Sequence, residues 1–397
     1  MAVYTPTIVA GAAGRAGILA TSLYPQISKR MPTLNENVTP LVSMSLKLSK
    51  KPVQATVFGH NEDQPLPYSF QYHGATETTA GTSFTNAQFG NSGAWLLDDI
   101  LFNTATGERM QIATYASPAS TMVRNLQGTT KLLTTGDILL RIGNAREEGV
   151  TAARLARSTV EAFYTFYLQN LNWTKLWTEP EIAQATWNDP RKVRAHMMMA
   201  IEAKIDLELA AYFGYHSADI GGTSFAQPMG VGIDEWIERG GNITHLANGV
   251  LTFDEIEKGC EAPFSYGARD GFILFMGTRF ARIVNGFSRG QLQTRLDDNH
   301  YGGTIDYLKT TYGQVDLVTL PLMAGGNLGG YAWLVPKPFE NYVYMRYLSG
   351  NGVNGDFKLI PNTQANDSQV VQDEMRAWLG MEFYEYYKFA KFDGALG

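Results

Sequence analysis

A single cysteine, Cys260, in 397 residues excludes an internal disulfide framework and any zinc site built from several thiolates. Buried thiol is the expected state for it. Charge is scarce as well. Only 18% of residues are charged and the net charge is −6, the wrong balance for a nucleic-acid-binding module spanning the chain. The first charge is Arg15, so no basic region precedes an apolar run; no secretory leader is expected, and synthesis in the cytoplasm is. Long hydrophobic runs are missing too. The best candidate, residues 317–336, is uncharged but carries Pro321, Gly325, Gly326, Gly329, Gly330 and Pro336. It reads as two short strands around a glycine loop, not as a membrane span. Internal repeats and low-complexity tracts are absent.

What is present is the composition of a globular protein: 44% hydrophobic, with 40 Gly, 20 Tyr and 20 Phe. Abundant turn formers and aromatics predict an α+β fold with more strand than helix. The charge is unevenly spread. Residues 1–52 hold Arg15, Lys29, Arg30, Lys47, Lys50 and Lys51 against one acid, Glu36, which leaves the remainder at −11. Such a basic arm on an acidic body could meet phosphate or an acidic partner, or be a solvated tail.

Along the chain, Pro6, Pro25, Pro32 and Pro40 break the first fifty residues, which lack sustained periodicity. From Val53 to about Thr178 the pattern is β: short apolar runs alternate with Gly-, Asn- and Thr-rich turns such as "NTATGE". The stretch "STVEAFYTFYLQNLNWTKLW" places Ala162, Tyr164, Phe166 and Leu168 on one face of a strand. One strong helix follows. Asp189-Pro190 is a start signal, Val193, Met197, Ile201, Ile205 and Leu209 recur every four residues as the expected core face, and Gly214 is a stop. About 24 residues make a rod of roughly 36 Å. Beyond it the pattern is α/β. Thr252 and Glu255 form a capping box, "GFILFMG" is a buried strand, and Thr278 is placed to cap "RFARIVN". "YVYMRYL" and "MEFYEYYKFAKF" read as closing strands.

Motifs with chemical content fail on context. Gly286-Phe287-Ser288-Arg289-Gly290 matches the nucleophile elbow and is followed by Asp297, Asp298 and His300, but a helix precedes it where a strand is required. A soluble serine hydrolase centred on Ser288 is therefore only the alternative reading. Gly350-Asn351-Gly352-Val353-Asn354-Gly355 matches a dinucleotide fingerprint but lacks a following helix, so a hairpin turn is expected. His60-Asn61-Glu62-Asp63 reads as a polar turn, and His73, His196, His216 and His245 as isolated. Asp98-Asp99 has no partner carboxylate that the sequence locates. No catalytic, cofactor or metal residues are assigned. A chain of this size with so few chemical signals works through its surfaces.

Several segments, in order, resemble the major head proteins of tailed phages with the Hong Kong 97-type capsid fold. The branch is one with a β-rich insertion in the extended loop. "VTPLVSMSLKLSKKPVQATVFGHNEDQPLP" is similar to the amino arm leading into that loop, and "LLDDILFNTATGERMQIATY" and "TTGDILLRIGNAREEGVTA" to the insertion. "FYLQNLNWTKLW" is similar to the returning strand, "AKIDLELAAYFG" with "PMGVGIDEWI" to the end of the spine helix and its exit, and "EMRAWLGMEFYEYYKFA" to the last peripheral strands. The resemblance implies an arm (1–52), an extended β loop with its insertion (53–178), a peripheral domain with the spine helix (179–250), an axial domain (251–340) and closing peripheral strands (341–397). It implies pentamers and hexamers in an icosahedral shell around double-stranded DNA held by non-specific contact. Scaffolding, portal and decoration proteins are the further partners; the arm looks too short to include a large scaffolding domain of its own. A nanocompartment shell of the same fold is the other alternative. Lys47, Lys50, Lys51, Tyr164, Phe166 and Leu168 are the expected assembly residues.

Overall fold

The computed structural model describes residues 39–394 with breaks, the longer ones at 78–82, 91–95, 149–160, 184–190, 220–226, 287–291 and 296–304. The chain divides into two compact units, residues 1–60 with 165–397, and residues 61–164. The fold is α+β. Among the described residues no helix is long and apolar enough to cross a membrane.

The discontinuous unit is built on two sheets. In the first, the order is Lys50–Val53, Val343–Gly350, Val370–Phe383, Gln169–Thr178. Its backbone is the antiparallel pair of Gln169–Thr178 with Val370–Phe383, in register from Gln169 opposite Leu379 to Thr178 opposite Val370. The long helix, Arg191–Phe213, packs on these two strands. Gly214 ends it because a Cβ there would collide with the carbonyl oxygens of Gly230 and Ala210. The expected start at Asp189-Pro190 lies outside the described residues.

The second sheet is mixed, in the order Ile243–His245, Ala390–Asp393, Ala332–Pro336, Phe272–Gly277, Gly313–Leu320, Ile305–Thr310, Leu292–Arg295. Phe272–Gly277 is buried at every position, as its uninterrupted apolar run requires. Helices Phe253–Ser265 and Thr278–Asn285 cover the sheet, and Ile256, Cys260, Phe280, Val284, Leu334 and Phe392 share one core. Thr252 caps the first helix by accepting from the Glu255 N–H at 3.2 Å. Thr278 does not cap the second: Gly277 occupies the N-cap, and the Thr278 hydroxyl turns to the Met323 carbonyl. The closing strands divide between the sheets. Val343–Gly350 and Val370–Phe383 stay in the first, while Ala390–Asp393 crosses to the second and pairs in parallel with Ile243–His245.

The unit of residues 61–164 holds a six-stranded antiparallel sheet, ordered Ser69–Gln71, Ile138–Asn144, Asp99–Asn103, Arg109–Ala116, Ala119–Arg124, Ser83–Thr85. Phe70, Tyr72, Phe89, Leu101, Met110, Ile112, Leu133 and Leu139 form its core. The predicted "NTATGE" turn is present, with Gly107 at φ +74° and the Asn103 Oδ1 accepting from the N–H groups of Ala105 and Thr106.

Two expectations are corrected. The arm is not irregular up to residue 52: Pro40–Leu48 is a helix with Leu41, Val42 and Met44 buried, and Lys50–Val53 joins the first sheet. Gln169–Thr178 belongs to the main unit, not to the excursion, because its ten pairings all lie with Val370–Phe383.

Candidate assembly surfaces

The long helix exposes the two ends of the face that periodicity assigns to the core, while Ile201 and Ile205 between them are half-buried. Val193 and Met197 are 53% and 54% exposed, and Met198, Leu209 and Phe213 are also exposed. Met199, Ala203, Leu207 and Ala211, also four residues apart, form the buried row. The small alanines explain the choice, since they let the helix approach the sheet closely. Larger apolar residues are left exposed toward the two ends of the rod.

The polar residues on the inner side are tied down. His196 Nε2 lies 2.7 Å from Asp373 Oδ2, Lys192 Nζ lies 3.1 Å from the same oxygen, and the Trp173 indole donates to Asp206 at 2.7 Å. Burial pushes the Asp373 carboxyl up. The N–H of Asn362 and the Lys192 and His196 side chains outweigh burial and hold it below its ordinary value. His196 is thus not isolated, and neither are His216, beside Thr165, and His245, 2.8 Å from Asp393.

The expected assembly residues separate into two groups. Lys47 is exposed in the last turn of the arm helix. Lys50 pairs with Asp356 and its ammonium lies 5.0 Å from the centre of the Tyr347 ring, while Lys51, exposed, lies 4.1 Å from that of Tyr344. Tyr164 is half-buried. Phe166 and Leu168 are fully buried within the subunit. The Phe166 ring contacts Phe58, His60 and Trp236 at centroid distances of 5.8, 5.5 and 5.4 Å, and the Leu168 N–H donates to the Thr56 carbonyl. The alternation that put Phe166 and Leu168 on one face holds, but that face is core and leaves neither residue surface to offer a neighbour.

Sequence reasoning missed the cluster at His60. Its segment is not a turn but part of the strand Val57–Asp63, which pairs with Glu161–Tyr167. The His60 ring stacks on Tyr384 at 3.8 Å, its Nδ1 lies 2.9 Å from Glu382, and Arg346 and the Tyr384 hydroxyl complete the shell around that carboxylate. Burial raises the Glu382 carboxyl, but His60 and Arg346 more than offset it, so the group sits below its ordinary value. Tyr384 is pushed up to about 12 by burial and by the Glu382 charge. No local pattern marks four residues so far apart in the chain.

Ser288, Asp297, Asp298 and His300 lie outside the described residues, although the segment before them is the helix Thr278–Asn285, as expected. Ser349 pairs with Asn354 in the expected hairpin, with no helix following. Asp99 accepts from the Leu96 N–H and Asp98 pairs with Arg146, so both have structural partners. No group of three or more His, Cys, Asp or Glu residues suited to a metal ion occurs among the described residues.

The family described as "SU10 major capsid protein" matches residues 11–354. The chain belongs to that family. This capsid protein is a structural component of the phage virion, built to associate with its own copies in a shell, and its family is one of structural proteins, not enzymes. No curated protein matches it. Solved structures with a similar chain include the capsid of an empty GTA particle (11% identity, 97% of this chain and 98% of that one, TM-score 0.49). Others are the Gordonia phage Cozz (12%, 100% and 99%, TM-score 0.48) and the holo-SrpI encapsulin complex of Synechococcus elongatus PCC 7942 (10%, 96% and 96%, TM-score 0.48).

Proposed function

We propose that this capsid protein assembles as pentamers and hexamers into the icosahedral head of a tailed phage and encloses its double-stranded DNA. Assembly takes place in the host cytoplasm, with scaffolding, portal and decoration proteins as partners. The long helix and first sheet serve as the peripheral domain, the second sheet and its helices as the axial domain, and residues 61–164 as the insertion of the extended loop.

The observation that carries this reading is the exposed apolar side chains of the long helix, Val193, Met197 and Met198 toward one end and Leu209 and Phe213 at the other. Grouped water-facing apolar side chains are uncommon on proteins that act alone and mark contact surfaces. In the shell these side chains are covered by a second copy of the chain, adding to interfaces of at least the usual size, roughly 1,600 Å². A heterologous contact repeated about rotation axes closes such a shell. Of the basic residues, Lys50 and Lys51 brace the arm within the subunit, and the exposed Lys47 side chain meets a neighbour's acidic surface or phosphate, a contact that weakens with salt.

The test is expression with and without the neighbouring genes, followed by sizing, negative-stain microscopy and nucleic-acid content. Closed shells that retain nuclease-protected DNA in the phage context support the reading. A monomer under every condition overturns it, and closed shells that never hold DNA favour a nanocompartment.

A further inference from the structure

The arm helix, Pro40–Leu48, begins in a buried place. Thr39, Leu41 and Val42 are inaccessible, and the first N–H groups of any helix lack intrahelical acceptors. The acceptors come from the long helix. Glu208, 1% exposed, takes the Leu41 N–H on Oε1 at 3.0 Å and the Val42 N–H on Oε2 at 2.7 Å, across 166 residues or more of chain. One carboxyl group thus joins the start of the arm helix to the long helix.

We infer that Glu208 is a pH-sensitive latch that holds the arm helix on the long helix.

The surroundings leave this carboxyl without a cation: Lys204, one turn earlier on its helix, and Lys175, on a packed strand, are both exposed. On the other packed strand Asp373 is held by Lys192 and His196, Glu374 by Arg376 and Asn172, and Glu382 by His60 and Arg346. On its own helix the next turn brings Tyr212, fully buried, with no hydrogen-bond partner for its hydroxyl among the described residues. The arm helix contributes only Lys47, at its exposed far end. On strand Lys50–Val53, Lys50 is paired with Asp356 and Lys51 lies over Tyr344. On Val343–Gly350, Arg346 and the Tyr344 ring belong to the Glu382 cluster, and Tyr347 lies under Lys50. On the packed helix Ile233–Gly240, Asp234 holds Lys391 and the Trp333 indole, Glu235 holds Arg239 and the His216 N–H, and Glu238 faces Lys391. Burial therefore dominates: it pushes the Glu208 carboxyl up to about 7 from 4.5, against the two backbone N–H groups that pull it down.

When the arm lifts away, water reaches Glu208 and its ordinary value returns. The docked state therefore holds a proton that the open state releases. Between pH 4.5 and about 7 the docked-to-open ratio falls by up to tenfold per pH unit as pH rises. Across that interval the change is at most about 300-fold. Acid closes the latch, and neutral to alkaline solution loosens it.

The experiment is amide hydrogen exchange on the purified full-length subunit between pH 5 and 8, corrected for the intrinsic exchange rate and followed by mass spectrometry of peptides covering residues 40–48. Because it reads one subunit, it does not depend on shells forming. Protection of the arm helix in the wild type should fall about 100-fold over this range, while Phe272–Gly277 stays constant. Tyr212→Phe, which removes only an unpartnered hydroxyl, should keep the slope, and Glu208→Gln should abolish it. A flat wild-type profile, or an unchanged slope in Glu208→Gln, overturns the latch. If Glu208→Gln does not fold, the wild-type and Tyr212→Phe profiles decide: a slope confined to residues 40–48 supports the latch, and a flat or uniform one ends it.

Discussion

His60 Nδ1 and Glu382 Oε1 lie 2.9 Å apart although 322 residues separate them along the chain. His60 is the last residue of the main unit before the chain leaves for residues 61–164, and Glu382 is near the end of the strand Val370–Phe383. The pair, with Arg346 and Tyr384 around it, ties His60 to the first sheet within the main unit.

Breaking that pair should be expensive. Glu382→Gln leaves Arg346 facing a neutral side chain in a nearly inaccessible site, and removing one partner of a buried pair costs about 3 kcal/mol. Glu382 sits below its ordinary carboxyl value, so its contribution is complete above that value and disappears as pH falls through the lower folded one. Urea titrations at pH 7 and pH 3 should show the wild type losing more stability than Glu382→Gln on acidification. Equal losses would refute the assignment.

The two apolar groups should respond differently to aspartate. Val193→Asp with Met197→Asp changes exposed positions, so subunit stability should move by no more than about 0.5 kcal/mol while shell formation is lost. Phe166→Asp puts a charge into the core and should cost more than about 4 kcal/mol, giving insoluble subunits, not well-folded ones that fail to assemble. Denaturant midpoints beside particle yields separate the outcomes; normal particles from the helix double variant would remove these positions from the interface.

Charge reversal in the arm should divide in the same way. Lys47→Glu should reduce particle yield or retained DNA, with a deficit that shrinks as added salt screens the wild-type contact. Lys50→Glu sets a second carboxylate beside that of Asp356 and should lower subunit stability by about 1 kcal/mol. Full, stable particles from Lys47→Glu would count against any contact by that residue.

Cys260 is buried and its thiol is raised to about 12, first by burial and then by Glu257. The folded subunit should therefore resist alkylation at pH 8 and react at the random-coil rate in denaturant. Rapid labelling of native protein would show that the helix Phe253–Ser265 opens.

The sequence made several elements readable because their causes are local. The capping Thr252, the "NTATGE" turn, the apolar run of Phe272–Gly277 and the Gly214 stop each declare themselves within a few residues. The existence of the long helix was equally plain, but its orientation was not. Two rows of apolar residues run along it, and counting large side chains selects Val193 and Met197 over the row in which Ala203 and Ala211 permit close packing. The arm helix had one local sign, Pro40 at its first position with Leu41, Val42 and Met44 after it. Its capping group, Glu208, lies on another helix, so the sequence around it carries no trace of the contact. The same holds at His60, whose polar neighbours look like a turn and whose partners come from the far end of the chain.

The crossing of Ala390–Asp393 into the second sheet sets an order on biosynthesis. The first sheet needs Val343–Gly350 and Val370–Phe383, and the second needs Ala390–Asp393 between Ile243–His245 and Ala332–Pro336. The first cannot close before Phe383 has emerged from the ribosome, nor the second before Asp393, whereas residues 61–164 find every strand partner of their own six-stranded sheet in one continuous stretch. The excursion is free to fold first during translation, and the body that carries it is completed last.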